Sequence, residues 1–125
     1  MKVNNREYAA VFTHRALGRM VRLTVADGYG FSLTFQEART LARALAAVKD
    51  KRSSVDEVYL SPIGSDGDFH AKVRSDGLVI DAMSPPLMLG WSEVGAIAAA
   101  LAAAAPEGAA QGHKERIAII GWSRL

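Results

Sequence analysis

The chain has no cysteine, and that absence removes disulfide frameworks, thiolate zinc sites and cysteine nucleophiles together. Aromatic residues are scarce, at 7%, which limits any ligand surface built mainly on ring stacking. No long hydrophobic run is present. The longest, Ala96 to Ala105, is half of the roughly 20 residues that a membrane-crossing helix needs. The opening residues, MKVNNREYAAVF, lack the apolar stretch and small-residue cleavage site of a secretory signal. The sequence also lacks a Gly-x-Gly-x-x-Gly turn and a phosphate loop ending in Gly-Lys-Ser/Thr, and its glycines fall at turns. These absences lead to the expectation of a cytoplasmic, non-membrane protein without a bound cofactor.

What is present suits one globular domain: 125 residues, half of them hydrophobic and 22% charged. The net charge of +2 conceals an asymmetry. Residues 1–54 hold ten Lys/Arg against four acids, whereas residues 55–125 hold five against nine. A basic first part attracts phosphates, or the two parts attract each other between copies.

The first part opens with an expected strand from Glu7 to Thr13. In RMVRLTVA, Val21, Leu23 and Val25 alternate with Arg22, Thr24 and Ala26, a period of two that separates a core face from a polar face. Asp27 to Gly30 supplies a hairpin loop, and FSLT returns. Thr34 and Glu37 have the spacing of a capping box. After them Ala38, Leu41, Ala42, Leu45 and Val48 recur at helical spacing.

The second part repeats much of this plan. EVYLSPI, FHAKVR, LVIDAM and the short LML read as strands, followed by a helix from about Trp91 to Ala104. Shifting LTFQEARTLARAL by 56 residues lays it on LGWSEVGAIAAAL without a gap: Leu33 meets Leu89, Glu37 meets Glu93, Leu41 meets Ile97 and Leu45 meets Leu101. The expected fold is therefore α+β in a single domain of residues 1–125, with antiparallel sheets and two amphipathic helices. It is written as a tandem βββα pseudo-repeat, about 1–54 and 55–106, with a closing strand at about 116–123 (RIAIIGW). Both helices are rich in alanine, which favours close packing of one on the other.

For chemistry, His14, His70 and His113 lack the surroundings of a nucleophilic triad. Asp66, Asp68 and His70 alternate along the chain and offer a divalent-metal set, although SDGD is more simply a turn. Basic residues are more suggestive. Arg22, His70, Lys72 and Arg74 fall on the polar phase of their strands, with Arg15 and Arg19 in or beside the adjoining turn. On neighbouring strands they would form a basic sheet face able to follow a phosphate backbone, with Tyr8, Tyr29 and Trp122 as stacking candidates.

YGFSLTFQEARTLARAL resembles the strand–helix junction of the transcriptional coactivator family called positive cofactor four. That family runs a glycine, a short Ile/Leu-Ser-Leu-Thr strand, an acidic helix start and an amphipathic helix. The resemblance covers residues 19–48 and, more faintly, 68–102. It implies a curved antiparallel sheet that binds single-stranded DNA, with helices forming a dimer contact. The plant Whirly and the Pur-alpha families are similar in placing two sheet-plus-helix repeats in one chain.

The leading expectation is a non-catalytic protein that binds single-stranded DNA or RNA through Arg15, Arg19, Arg22, His70, Lys72 and Arg74, with no metal or cofactor. The rival is a protein-interaction module, a small accessory or inhibitor protein acting through an edge strand or a homodimer closed by RIAIIGW. A metal-dependent enzyme is a distant third.

Overall fold

The computed structural model describes residues 8–26, 29–51, 54–65, 67–81 and 85–106. The closing strand expected at 116–123 lies outside them, as do Asp66, His113 and Trp122. In chain order come β1 (Ala9–His14), β2 (Gly18–Ala26), β3 (Tyr29–Thr34), α1 (Phe35–Lys49), β4 (Glu57–Leu60), β5 (Phe69–Arg74), β6 (Gly77–Ile80), β7 (Leu87–Gly90) and α2 (Trp91–Ala104). The architecture is α+β: an antiparallel sheet in order β1-β2-β3, a second in order β4-β5-β6-β7, and two helices. Three strands precede the first helix and four the second, so β4 is an additional edge strand beside β5.

The alternation read in β2 holds: Val21, Leu23 and Val25 are buried while Arg22 and Thr24 are exposed. Inward residues of the two sheets meet in one core. Phe31 on β3 and Phe69 on β5 make an edge-to-face ring contact with centroids 5.3 Å apart, a geometry that the ring quadrupoles favour. Gly77 opens β6 at φ +154°, and a Cβ there would collide with the carbonyl oxygen of Leu89, so the β6–β7 approach requires glycine.

Helix α1 starts where the capping box predicts. The Glu37 amide donates to Thr34 Oγ1 (3.1 Å), and the Thr34 amide donates to Glu37 Oε1 (2.9 Å). The other oxygen, Oε2, accepts the amide of Ile63 at 3.2 Å, which explains why a glutamate is buried here. Helix α2 begins 56 residues later (35 and 91) with the same entering backbone: φ −69°, ψ 167° at Thr34 and φ −70°, ψ 165° at Gly90. Gly90 has no side chain, so only half of the box remains, its amide donating to Glu93 Oε1 at 3.1 Å.

The helices pack together, as their alanines predict. They run antiparallel: the Lys49 side chain lies across Gly95 at one end, and Arg39 Nη1 donates to the Pro106 carbonyl (3.3 Å) at the other. The inward stripes correspond, with Ala38, Leu41, Ala42 and Leu45 on α1 and Val94, Ile97, Ala98 and Leu101 on α2. They differ on the outside. Arg43, Lys49 and Asp50 border solvent along α1, whereas α2 exposes Ala96, Ala99, Ala102 and Ala103. Among the described residues no helix is long and apolar enough to cross a membrane.

Candidate nucleic-acid interface

The six basic residues singled out from the sequence divide between two surfaces. Arg15, Arg19 and Arg22 belong to the β1–β2 hairpin, and His70, Lys72 and Arg74 to β5. No ladder joins the two sheets among the described residues, so these groups do not fall on one pleated surface.

Arg22 sits on the outward phase of the central strand β2, opposite Ala10 on β1 and Ser32 on β3. Its Nη1 donates to Ser32 Oγ at 2.9 Å. The guanidinium lies flat against Gly30, where a Cβ would stand only 2.6 Å from Nη2. A glycine at position 30 thus leaves the space in which the arginine rests on the sheet. Arg15 is exposed in the Arg15–Leu17 turn. That turn is held by His14, whose Nδ1 accepts the amides of Ala16 (3.0 Å) and Leu17 (3.1 Å). His14 is therefore a turn-forming residue. Arg19 occupies the inward phase at the start of β2 and sets its guanidinium carbon 5.6 Å from the Phe35 ring centroid, a cation–π contact with the first residue of α1.

The second surface is mixed in charge. His70 on β5 stands between two carboxylates, one on β4 and one just past the end of β6: Nε2 is 3.1 Å from Glu57 Oε1, and Nδ1 is 3.1 Å from Asp81 Oδ1. Asp81 Oδ1 has no hydrogen-bond partner among the described residues. Lys72 Nζ lies 3.7 Å from Asp81 Oδ2. The positive charge expected on this face is thus matched by acids that the register brings alongside, since Glu57 pairs with Lys72 and Tyr59 with His70. Arg74 is exposed at the end of β5.

Of the stacking candidates, Tyr8 is half-buried against the core. Tyr29 is half-buried too, and its hydroxyl donates to the Pro85 carbonyl at 2.7 Å. The more exposed ring is Tyr59, at 47%, which sequence reasoning passed over although EVYL alternates with Tyr59 outward. It meets the His70 ring edge to face at 5.9 Å and donates its hydroxyl to Asp68 Oδ2 at 2.6 Å. Ser61 Oγ donates to the other Asp68 oxygen at 2.9 Å. These two bonds hold the Asp68 carboxyl below the usual carboxylate range, and the bond to Asp68 foremost pushes the Tyr59 phenol above its ordinary value. Asp68 and His70, read together as metal ligands, are engaged with separate partners. No group of three His, Cys, Asp or Glu side chains gathers in metal-binding geometry among the described residues.

No protein-family model, curated protein or solved structure matches this chain.

Proposed function

We propose that this protein binds single-stranded nucleic acid, without catalysis, through the outer face of its first sheet. One observation carries the reading: residues 8–26 and 29–34, which build that sheet, include Arg15, Arg19 and Arg22 and contain no aspartate or glutamate. Binding to nucleic acid begins with phosphate neutralisation, and a sheet free of acids opposes it least. Arg22, bonded to the Ser32 hydroxyl and lying over Gly30, offers a phosphate donor and a guanidinium on which a base can stack. Phe12, half-buried, lies on the same side of the sheet as Arg22 at the end where its partner Met20 is fully buried, and is a ring that the sequence reading did not select. The resemblance of residues 19–48 to the positive cofactor four junction supports the same reading. So does the match of the two strand–helix junctions at an interval of 56 residues, which we read as an internal repeat. A homodimer in the cytoplasm completes the proposal.

The test is fluorescence anisotropy of a labelled single-stranded oligonucleotide across a salt series. If Arg15 and Arg22 each neutralise one phosphate, the log–log slope of affinity against salt is about −1.4. Absence of binding at about 50 mM salt, the low end of the usual range, would refute the reading.

A second reading, a protein-interaction module, has its own observation. The outer face of the second sheet exposes Tyr59 at 47% and Met88 at 56%, and loop residue Ile63 is 68% exposed. Aromatic and methionine side chains among paired charges resemble the make-up of protein interfaces.

A further inference from the structure

We infer, resting on the nucleic-acid reading above, that Ile63 is the apolar contact for an unpaired base held beside Arg22, so that the loop following β4 completes the site on the first sheet. That loop, residues 61–65, leaves the second sheet and lies over the first. Met20 shows where. By alternation Met20 shares the outward phase of Arg22 on β2, yet it is fully buried while Arg22 is exposed. A Cβ on Gly64 would stand 2.5 Å from the Met20 methyl carbon and 3.5 Å from Leu17 Cδ1. The loop therefore covers the sheet at Met20, which is about 7 Å along the strand from Arg22.

Hydrogen bonds hold the loop there. The Ile63 amide donates to Glu37 Oε2 at 3.2 Å, and the Ser32 amide donates to Ser65 Oγ at 2.9 Å. Ser32 is also the residue whose Oγ accepts Arg22 Nη1 at 2.9 Å. One serine thus sets the loop and the arginine against each other. Between these anchors Pro62 is buried and Gly64 half-buried, whereas Ile63 is 68% exposed, the most exposed large hydrophobic side chain among the described residues. A lone apolar side chain at a surface is ordinary. Ile63 differs in that its own amide is bonded, so a ligand that covers it need order little more of the chain.

Chemistry selects the ligand class. Arg22 offers a charge, Ile63 an apolar surface, and Gly30 and Ser32 beside the guanidinium are uncharged. Glu37, which anchors the loop, is buried with its two oxygens accepting amides. A nucleotide with an unpaired base has the matching parts, a phosphate and an uncovered base face. In a duplex the base faces are stacked on one another, so Ile63 favours single strands.

Anisotropy titrations with a labelled single-stranded DNA, an abasic phosphodiester strand of equal charge and a duplex test this. Ile63→Ser, at an exposed position, should leave the melting temperature nearly unchanged. It should weaken single-strand binding about fivefold, the low end for one base contact, with the same salt slope because no charge is lost. Affinity for the abasic strand and the duplex should not move, and Ile63→Leu should bind the single strand as the unaltered protein does. In NMR the Ile63 methyl resonances should shift with the single strand and not with the abasic strand. An Ile63→Ser protein that binds the single strand as before, or that loses affinity for every probe alike, would overturn this inference while leaving the Arg22 site standing. No binding of any probe at about 50 mM salt would remove both.

Discussion

The Tyr29 hydroxyl and the Pro85 carbonyl, 2.7 Å apart, join residues separated by 56 positions, the interval that relates the two helix starts. Tyr29 opens β3, and Pro85 stands two residues before β7. The bond therefore ties the start of β3 to the segment that enters β7. Tyr29→Phe keeps the ring and removes the bond, so thermal or urea unfolding should show a loss of about 1 kcal/mol. Oligonucleotide affinity should stay unchanged, because Tyr29 is spent on this contact.

The ring pair Phe31–Phe69 tests whether the sheets share one cooperative core. Each single change to alanine should cost about 3–5 kcal/mol, the usual range for buried phenylalanine. The double mutant should reveal a coupling of about 1 kcal/mol beyond additivity. Purely additive losses would mean that the two rings do not meet in solution.

Thr34 and Glu37 differ in how much rests on them. Thr34→Ala removes one cap acceptor and should cost about 1 kcal/mol. Glu37→Ala removes the acceptor for two amides, those of Thr34 and Ile63, and should cost more, about 2 kcal/mol, because a part-buried donor is left unpaired. Equal losses in urea denaturation would show that the Ile63 bond contributes nothing.

Tyr59 and Asp68 give a pH signature. The folded Asp68 carboxyl lies below its ordinary range, so its contribution is present above that range and is lost as pH falls through the folded value. The phenol is raised, so its contribution is complete below the ordinary tyrosine value and is lost as pH rises toward the folded one. Spectrophotometric titration of Asp68→Asn should find Tyr59 ionising at a lower pH than in the unaltered protein. An identical titration curve would remove the hydrogen bond from the account.

Much of the fold was legible because it is written in local rules. The Thr34–Glu37 spacing located the start of α1, and the alternation from Val21 to Val25 fixed which side of β2 is buried. The shift that aligns Leu33 with Leu89 located α2. The grouping of the basic residues was not legible, for a physical reason. Arg22 and Lys72 both show a polar phase, but phase alone does not say which strands share a sheet. Glu57 and Asp81 lie 13 and 11 positions from His70, and only the strand register brings them to its ring nitrogens. Gly30 looked like a turn residue, whereas its lack of a side chain also makes room for Arg22. Its Ala variant should fold normally, within about 0.5 kcal/mol, while lifting the guanidinium from the sheet and weakening oligonucleotide binding.

The central claim, that nucleic acid binds the first sheet, is tested most directly by comparing Arg22→Glu with Lys72→Glu in the same anisotropy titration. Both sites are on sheet faces, but Arg22 belongs to the acid-free sheet and Lys72 already faces Asp81. The account predicts that Arg22→Glu weakens binding at every salt concentration and makes the salt slope shallower by about 0.7. Lys72→Glu should leave both the affinity and the slope close to those of the unaltered protein. Equal losses from the two variants, or a folded Arg22→Glu protein that binds as before, would contradict it.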